Sequence, residues 1–129
     1  MAKTSSGIYI HIPFCTIKCF YCDYFSTTGY DEDRLPLFFN SLSKEIESYK
    51  DIADNFTFDT IFIGGGTPSI INPKYIENIF NALSINFDLS HATEITLEIN
   101  PGEAALENLK TLKLTLRKLM IKVRFQLKI

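Results

Sequence analysis

Hydrophobic residues along the chain follow two alternating spacings, which predict strands and helices in turn. Short apolar runs at 7–13, 58–66 and 93–100 are each followed or ended by Gly or Pro, as expected of strands. Apolar residues recur every three or four positions at 35–49 and 72–87, and a third such stripe begins near Glu103. The pattern predicts the order βαβαβα, which favours parallel strands joined by right-handed crossovers.

Two local signals refine this prediction. The second strand, FDTIFIGGG, is almost continuously apolar, which is typical of a strand buried on both faces. Asn72 followed by Pro73 predicts the start of the second helix, with Asn72 as the N-cap.

Each predicted strand is followed by an unusual segment. A cysteine-containing loop follows the first strand, the sequence GGGTP (64–68) follows the second, and Glu98 lies near the end of the third. Ligands of parallel α/β proteins bind at the carboxyl ends of the strands. We therefore predict that the three segments contribute to one pocket.

The chain has three cysteines, Cys15, Cys19 and Cys22, spaced C-x-x-x-C-x-x-C. Three thiols cannot all pair with one another. Cys19 and Cys22 fit a redox C-x-x-C pair, and all three fit a zinc site closed by His11. They also fit an iron–sulfur cluster in which one iron has no thiolate ligand. Spacing alone leaves these alternatives open.

Composition indicates a single soluble domain. The 129 residues include 13 basic and 15 acidic side chains, so net charge does not suggest a nucleic-acid partner. No apolar run approaches the roughly 18 residues of a membrane span, and the polar N-terminus differs from a secretory signal. We expect a cytoplasmic protein whose thiols stay reduced.

Charge is distributed unevenly along the chain. Residues 110–129 contain seven of the 13 bases and no acid, whereas the preceding residues contain six bases and 15 acids. Such a break is typical of a boundary or a foreign segment. We predict a domain at 1–112 followed by a divergent basic tail at 113–129.

Three motifs together resemble a known family. YIHIPFCTIKCFYCDYF (9–25), FIGGGTPS (62–69) and LEINPG (97–102) are similar to motifs of radical S-adenosylmethionine (radical SAM) proteins. The resemblance is narrower to the oxygen-independent coproporphyrinogen III oxidase-like family, which includes the HemW-type heme chaperone branch. It implies an α/β fold that is the N-terminal half of a partial (β/α)6 TIM-like barrel, with about three βα units.

The resemblance also implies cofactors and partners. Cys15, Cys19 and Cys22 would ligate a [4Fe-4S] cluster, while S-adenosyl-L-methionine would contact Tyr9, Tyr21, Gly65, Gly66, Thr67 and Glu98. In such proteins, the open iron binds the amino and carboxylate groups of S-adenosylmethionine, and an electron from the cluster cleaves a carbon–sulfur bond to give a 5′-deoxyadenosyl radical. The implied partners are an electron-donor protein and a heme or porphyrin molecule.

One position distinguishes the branches of this family. The oxidases resemble C-x-x-x-C-x-x-C-x-C, whereas this chain has Tyr24 in place of the fourth cysteine. The sequence therefore favours a shortened heme chaperone over a porphyrinogen oxidase, with a zinc-binding or inactive remnant as a further alternative. The heme-binding motif of the chaperone branch lies downstream of the residues present here. Members of the family resemble either oxidoreductases or heme chaperones, so the sequence leaves open whether the chain is an enzyme.

The tail, LKLTLRKLMIKVRFQLKI, departs from the fourth-strand pattern of the family. Loss of the motif coincides with the change in charge, so we predict a frameshift or truncation near Lys113. The alternative is a genuine basic helix or strand that covers an exposed edge of the sheet.

Overall fold

Four parallel strands alternate with helices along the chain. The computed structural model describes residues 1–23, 25–29, 31–100, 102–119 and 121–127. The strands are β1 (Thr4–Ile12), β2 (Phe56–Gly65), β3 (Glu94–Ile99) and β4 (Lys122–Leu127). They form one sheet in the order β1-β2-β3-β4, with every neighbouring pair parallel. The predicted alternation is confirmed, and a fourth strand follows it.

The helices lie between consecutive strands. They are α1 (Arg34–Ser48), the short α2 (Lys50–Ala53), α3 (Pro73–Asn86) and α4 (Leu106–Arg117), with a 3-10 turn at Pro68–Ile70. The predicted cap of α3 is confirmed, because the Asn72 side chain accepts a 3.0 Å hydrogen bond from the Lys74 amide. The third predicted helix begins at Leu106 rather than near Glu103.

One face of the sheet packs against the helices and forms the core. Its cross-strand rows consist of isoleucine and leucine side chains, and Ile63, Ile95 and Leu97 are fully buried. Helices α1 and α3 pack on each other through the stacked rings of Phe39 and Tyr75, whose centroids are 4.7 Å apart. These side chains belong to one continuous apolar cluster.

The opposite face has a different composition. The register places Tyr9 beside Phe62, Phe62 beside Thr96, and Thr96 beside Arg124. Tyr9 is 55% exposed and Phe62 is only partly buried. The prediction that the second strand is buried on both faces is therefore wrong, because no described helix covers this face. It is polar and aromatic, and accessible to ligands.

Strand β4 comes from the predicted basic tail. It pairs with β3 over six residues, from Glu94 beside Lys122 to Ile99 beside Leu127. Arg124 also lies 3.6 Å from the Glu94 carboxylate. The tail thus covers an edge of β3 that would otherwise be open, while α4 runs across position 113. The domain boundary at 113 and the frameshift stay predictions.

Within the part of the chain that the structure describes, no helix is both long enough and apolar enough to cross a membrane.

Leu97 tests the packing of the central sheet. It has no exposed surface, and replacing it with Ala removes buried methyl groups and leaves a cavity. We expect Leu97→Ala to lower the free energy of unfolding by about 2–5 kcal/mol in urea denaturation. The matched control is Leu114→Ala on α4, where the side chain is 65% exposed and the expected change is within about 0.5 kcal/mol. Equal effects at both positions would contradict the described core.

The pairing of β4 with β3 predicts the consequence of removing the tail. A chain that ends at residue 121 leaves the backbone of β3 unpaired on one side, and open apolar edges promote association. We expect several-fold less soluble protein and larger species in light scattering. A full-length chain with Lys122→Gln and Arg124→Gln keeps the strand and serves as the control. A shortened chain as monomeric as the control would show that β4 does not protect this edge.

Candidate cofactor site

Backbone hydrogen bonds hold the cysteine loop against the glycine turn. The Gly66 amide donates to the Ile12 carbonyl and the Thr67 amide to the Phe14 carbonyl, each at 2.7 Å. A Cβ at Gly66 would collide with the backbone of Phe14, so only glycine allows this approach. The segments following β1 and β2 therefore meet, as the sequence predicts.

The cysteine loop is also closed at its base. The Thr27 amide donates to the Pro13 carbonyl at 2.7 Å, and the Cys15 amide donates to the Thr27 carbonyl at 3.0 Å. Within the loop, the Cys22 amide donates to the Cys19 carbonyl at 3.1 Å, which forms a turn between these two cysteines. The fixed base and the internal turn hold the three thiols on a short, defined segment.

The three thiols line one narrow cavity of about 40 Å³. All three cysteines are free; Cys15 is buried, whereas Cys19 and Cys22 are partly exposed. The Thr67 hydroxyl donates to Cys15 Sγ at 3.7 Å. The remaining lining residues are Ile17, Tyr21, Ser26 and Asn100. The cavity therefore brings together the cysteine loop, the glycine turn and the end of β3.

Tyr21 responds to the charge of the cysteines. A hydrogen bond with the Cys19 side chain, followed by the charge of Cys19, raises the pKa of Tyr21 above its usual value. Burial and the charge of Cys22 raise the pKa further. The phenol thus keeps its proton over a wider pH range and can donate it to sulfur.

His11 links β1 to the far end of the cysteine loop. Its Nε2 lies 2.7 Å from the Phe25 carbonyl oxygen, and its Nδ1 lies 2.9 Å from the Tyr9 hydroxyl. A carbonyl can only accept, so Nε2 donates to Phe25, and in the Nε2-protonated tautomer Nδ1 accepts from the Tyr9 hydroxyl. His11 thus has a hydrogen-bonding role in the fold. The zinc alternative would require this ring to turn away from both partners.

Glu98 lies on the open face beside the glycine turn. Its Oε2 accepts a 3.1 Å hydrogen bond from the Gly65 amide, and a Cβ on Gly64 would lie 2.7 Å from the same oxygen. Gly65 has φ +107°, a conformation that favours glycine. The carboxylate is held by backbone and still has acceptor capacity for a ligand.

The structure divides the predicted site residues into two neighbouring groups. Cys15, Cys19, Cys22, Tyr21 and Thr67 line the cysteine cavity. Tyr9, Gly65 and Glu98 lie on the adjoining open face, and Gly66 lies between the two groups at the Phe14 backbone. Tyr24, on which the choice of branch rests, lies outside the described residues, as does Pro101.

Three lining residues, the apolar Ile17 and the polar Ser26 and Asn100, were not predicted as site residues. Asn100 could have been found from its position two residues after Glu98, on the same face of an extended strand. Ser26 has no such signal, because a serine in a loop is usually exposed.

A larger groove of about 620 Å³ runs between β1 and α1–α2. Its lining is mainly apolar and includes Tyr9 and His11, but no thiol. The smaller cavity is therefore the better candidate for metal chemistry.

The cysteine sulfurs are not arranged around one point. Among the described residues, no group of three or more His, Cys, Asp or Glu side chains is placed to hold a single metal ion. A zinc ion binds sulfur at about 2.3 Å, so its thiolates lie roughly 4 Å apart. In a multi-iron cluster, each thiolate binds a different iron and the sulfurs need less convergence.

Comparison with known proteins agrees with the motifs. The family model described as the Radical SAM superfamily matches residues 9–123. The heme chaperone HemW of Lactococcus lactis is 35% identical over 114 residues, which cover 87% of this chain and 28% of the relative. HemW of Haemophilus influenzae is 35% identical over 108 residues, covering 81% and 28% respectively.

A solved structure supports the fold. Coproporphyrinogen III oxidase (HemN) from Escherichia coli, titled a radical SAM enzyme, superimposes with a TM-score of 0.76 and 26% identity. The match covers 88% of this chain and 26% of that chain. The fold class, an α/β N-terminal part of the partial barrel, is confirmed.

The chain spans about a quarter of the length of these relatives. Their similarity confirms the predicted resemblance to the coproporphyrinogen oxidase-like family and its HemW-type branch, and the superfamily match covers most of the chain. The chain belongs to the radical SAM superfamily.

Proposed function

We propose that this chain is the cluster-binding and S-adenosylmethionine-binding part of a radical SAM protein of the heme-chaperone type. The observation that carries the proposal is that three free cysteines line one cavity at the carboxyl ends of the strands. Membership of the superfamily implies a [4Fe-4S] cluster and S-adenosylmethionine in general. The assignment to particular residues is our proposal.

The residues of the cavity fit an iron–sulfur cluster. Thiolates are the usual ligands of such clusters, and here they share the cavity with hydroxyl and phenol donors. Cys15 and Thr67 form a buried inner wall, whereas Ile17 and Tyr21 are 71% and 66% exposed. The present cavity has a volume of about 40 Å³. A larger cluster would be accommodated by movement of the exposed side chains of Ile17 and Tyr21, while the buried Cys15 and Thr67 stay in place.

We assign one group of site residues to the cluster and the other to S-adenosylmethionine. Cys15, Cys19 and Cys22 hold the cluster, and Thr67 and Tyr21 donate hydrogen bonds to sulfur. Gly65 and Gly66 allow the backbone to approach the methionyl end of S-adenosylmethionine, and Glu98 accepts from its ammonium group. Tyr9 contacts the same cofactor from the open face. When bound, the cluster and S-adenosylmethionine supply reductive cleavage of a carbon–sulfur bond.

The biological role is proposed from the relatives' names. HemW relatives are named heme chaperones, so heme or a porphyrin is the proposed small-molecule partner, with a protein as electron donor. Residues 1–129 by themselves correspond to about a quarter of each relative, and we expect a polypeptide of these residues alone to cleave little S-adenosylmethionine and to deliver little heme. Coproporphyrinogen oxidation is the second candidate, supported by the structural match to HemN.

Anaerobic reconstitution tests the cluster. We expect the purified chain to take up iron and sulfide and to show an iron–sulfur absorption band and Mössbauer spectrum. Replacing any one of Cys15, Cys19 and Cys22 by Ser should weaken iron binding by at least about tenfold. Loss of an outer-shell partner already lowers metal affinity by about 10–100-fold, and loss of a ligand should cost no less. The control is Thr16→Ser, an exposed position in the same loop. Uptake of one zinc ion with no iron would reject the proposal in favour of a zinc site.

Glu98 tests the S-adenosylmethionine contact. Glu98→Gln keeps an oxygen that accepts from the Gly65 amide but removes the charge that attracts the ammonium group. We expect binding of S-adenosylmethionine to the reconstituted protein to weaken by about 10–100-fold in calorimetry, since bonds to charged groups contribute about 1.5–3 kcal/mol. Glu94→Gln is the matched control, because Glu94 is on the same strand and bonds Thr96 and Arg124. Equal affinities of the two variants would refute the role of Glu98.

A further inference from the structure

Ser26 lines the cysteine cavity and has a buried hydroxyl without a hydrogen-bond partner. The residue is 8% exposed, and its Oγ has no hydrogen-bond partner. It lines the same cavity as Cys15, Cys19 and Cys22. Most buried polar side-chain atoms in proteins do have a partner, so an exception calls for an explanation.

Hydrogen bonds on both sides of Ser26 hold its main chain in place. The next residue, Thr27, is bonded to both Pro13 and Cys15. The carbonyl of the preceding residue, Phe25, accepts from His11 Nε2 at 2.7 Å. Because the main chain is held on both sides, the Ser26 hydroxyl stays buried in the folded state. Burying it without a partner lowers the stability of the fold.

The other residues that line the cavity indicate which acceptors the Ser26 hydroxyl could donate a hydrogen bond to. A serine hydroxyl is one donor with two acceptor lone pairs, and the residues that line the same cavity include the three cysteines. Thr67 provides a precedent, because its hydroxyl already donates to Cys15 Sγ at 3.7 Å. Thiolate and sulfide sulfurs of a bound cluster would be stronger acceptors than neutral thiols.

We propose that the Ser26 hydroxyl donates a hydrogen bond to a sulfur of the cluster held by the three cysteines, and so raises the cluster's reduction potential. This inference rests on the proposed function. One-electron reduction adds negative charge to the cluster, and a hydrogen bond to sulfur stabilises the reduced form more than the oxidised form. Hydrogen bonds to the sulfurs are among the factors that set such potentials.

The chain offers a matched pair of serines for the test. Ser69 is also buried, at 0% exposure, and its Oγ also has no partner, but it does not line the cysteine cavity. Ser26→Ala and Ser69→Ala therefore remove equivalent hydroxyls from different surroundings. Ser26→Thr keeps a hydroxyl at the first position.

The experiment reconstitutes the wild type and the three variants with ferrous iron and sulfide and titrates each on an electrode. For Ser26→Ala we expect about a tenfold lower equilibrium constant for one-electron reduction, which is about 59 mV more negative. Ser69→Ala and Ser26→Thr should stay within about threefold of the wild type. Without iron, Ser26→Ala should unfold at the same temperature as the wild type or higher, since it removes an unpartnered buried hydroxyl.

A spectroscopic measurement gives a second readout. Electron–nuclear double resonance of the reduced cluster in H2O and D2O detects exchangeable protons near the sulfurs. We expect one such coupling in the wild type, Ser69→Ala and Ser26→Thr to be absent in Ser26→Ala.

The outcomes separate the two proposals. A wild type that loads a cluster, together with a Ser26→Ala variant of unchanged potential and unchanged proton couplings, overturns this inference alone. A wild type that takes up no iron and sulfide overturns the proposed function and this inference with it. Equal shifts in Ser26→Ala and Ser69→Ala would also overturn the inference, because they would indicate a general packing effect.

Discussion

The structure depends on the two backbone hydrogen bonds that join the glycine turn to the cysteine loop. They run from the Gly66 and Thr67 amides to the Ile12 and Phe14 carbonyls, and they extend the pairing of β1 and β2 beyond the strands. Because no Cβ fits at Gly66, any other residue there would separate the two segments. This one contact places the Thr67 hydroxyl against Cys15 and joins the thiol cavity to the open face of the sheet.

The two faces of the sheet serve different purposes. The helix-covered face supplies stability through burial of isoleucine and leucine side chains. The other face contains Tyr9, His11 and Glu98: the Tyr9 hydroxyl bonds to His11, and His11 and Glu98 each bond to backbone. Alternation of side chains along each strand produces both faces from one sequence. Consequently the apolar side chains of the core are distinct from the polar side chains of the open face, although the two sets alternate along the chain.

Periodicity was sufficient to predict the first three strands, the three longer helices and their order, because those features follow from local spacing, but it did not predict β4 or the short α2. It was also sufficient to predict that the cysteine loop, the glycine turn and the end of β3 meet, since parallel strands end at one edge, although Asn100 rather than Glu98 lines the cavity that they share. It failed for Phe62, because an apolar run does not reveal whether a second layer exists to cover it. It could not reveal Ser26, whose burial results from hydrogen bonds of Phe25 and Thr27 that are distant in sequence from their partners.

The basic segment that begins near residue 110 contributes a strand to the fold but no residue to the lining of the cysteine cavity. Every residue that lines the cysteine cavity lies in the range 15–26 or at Thr67 and Asn100, before the basic segment begins. The basic segment contributes β4, which pairs with β3 and bonds Glu94 through Arg124. The tail can influence the cavity through β4, which pairs with β3, and through the part of α4 that follows residue 112. Whatever the origin of the tail, the three cysteines proposed to hold a cluster come from the loop that follows β1.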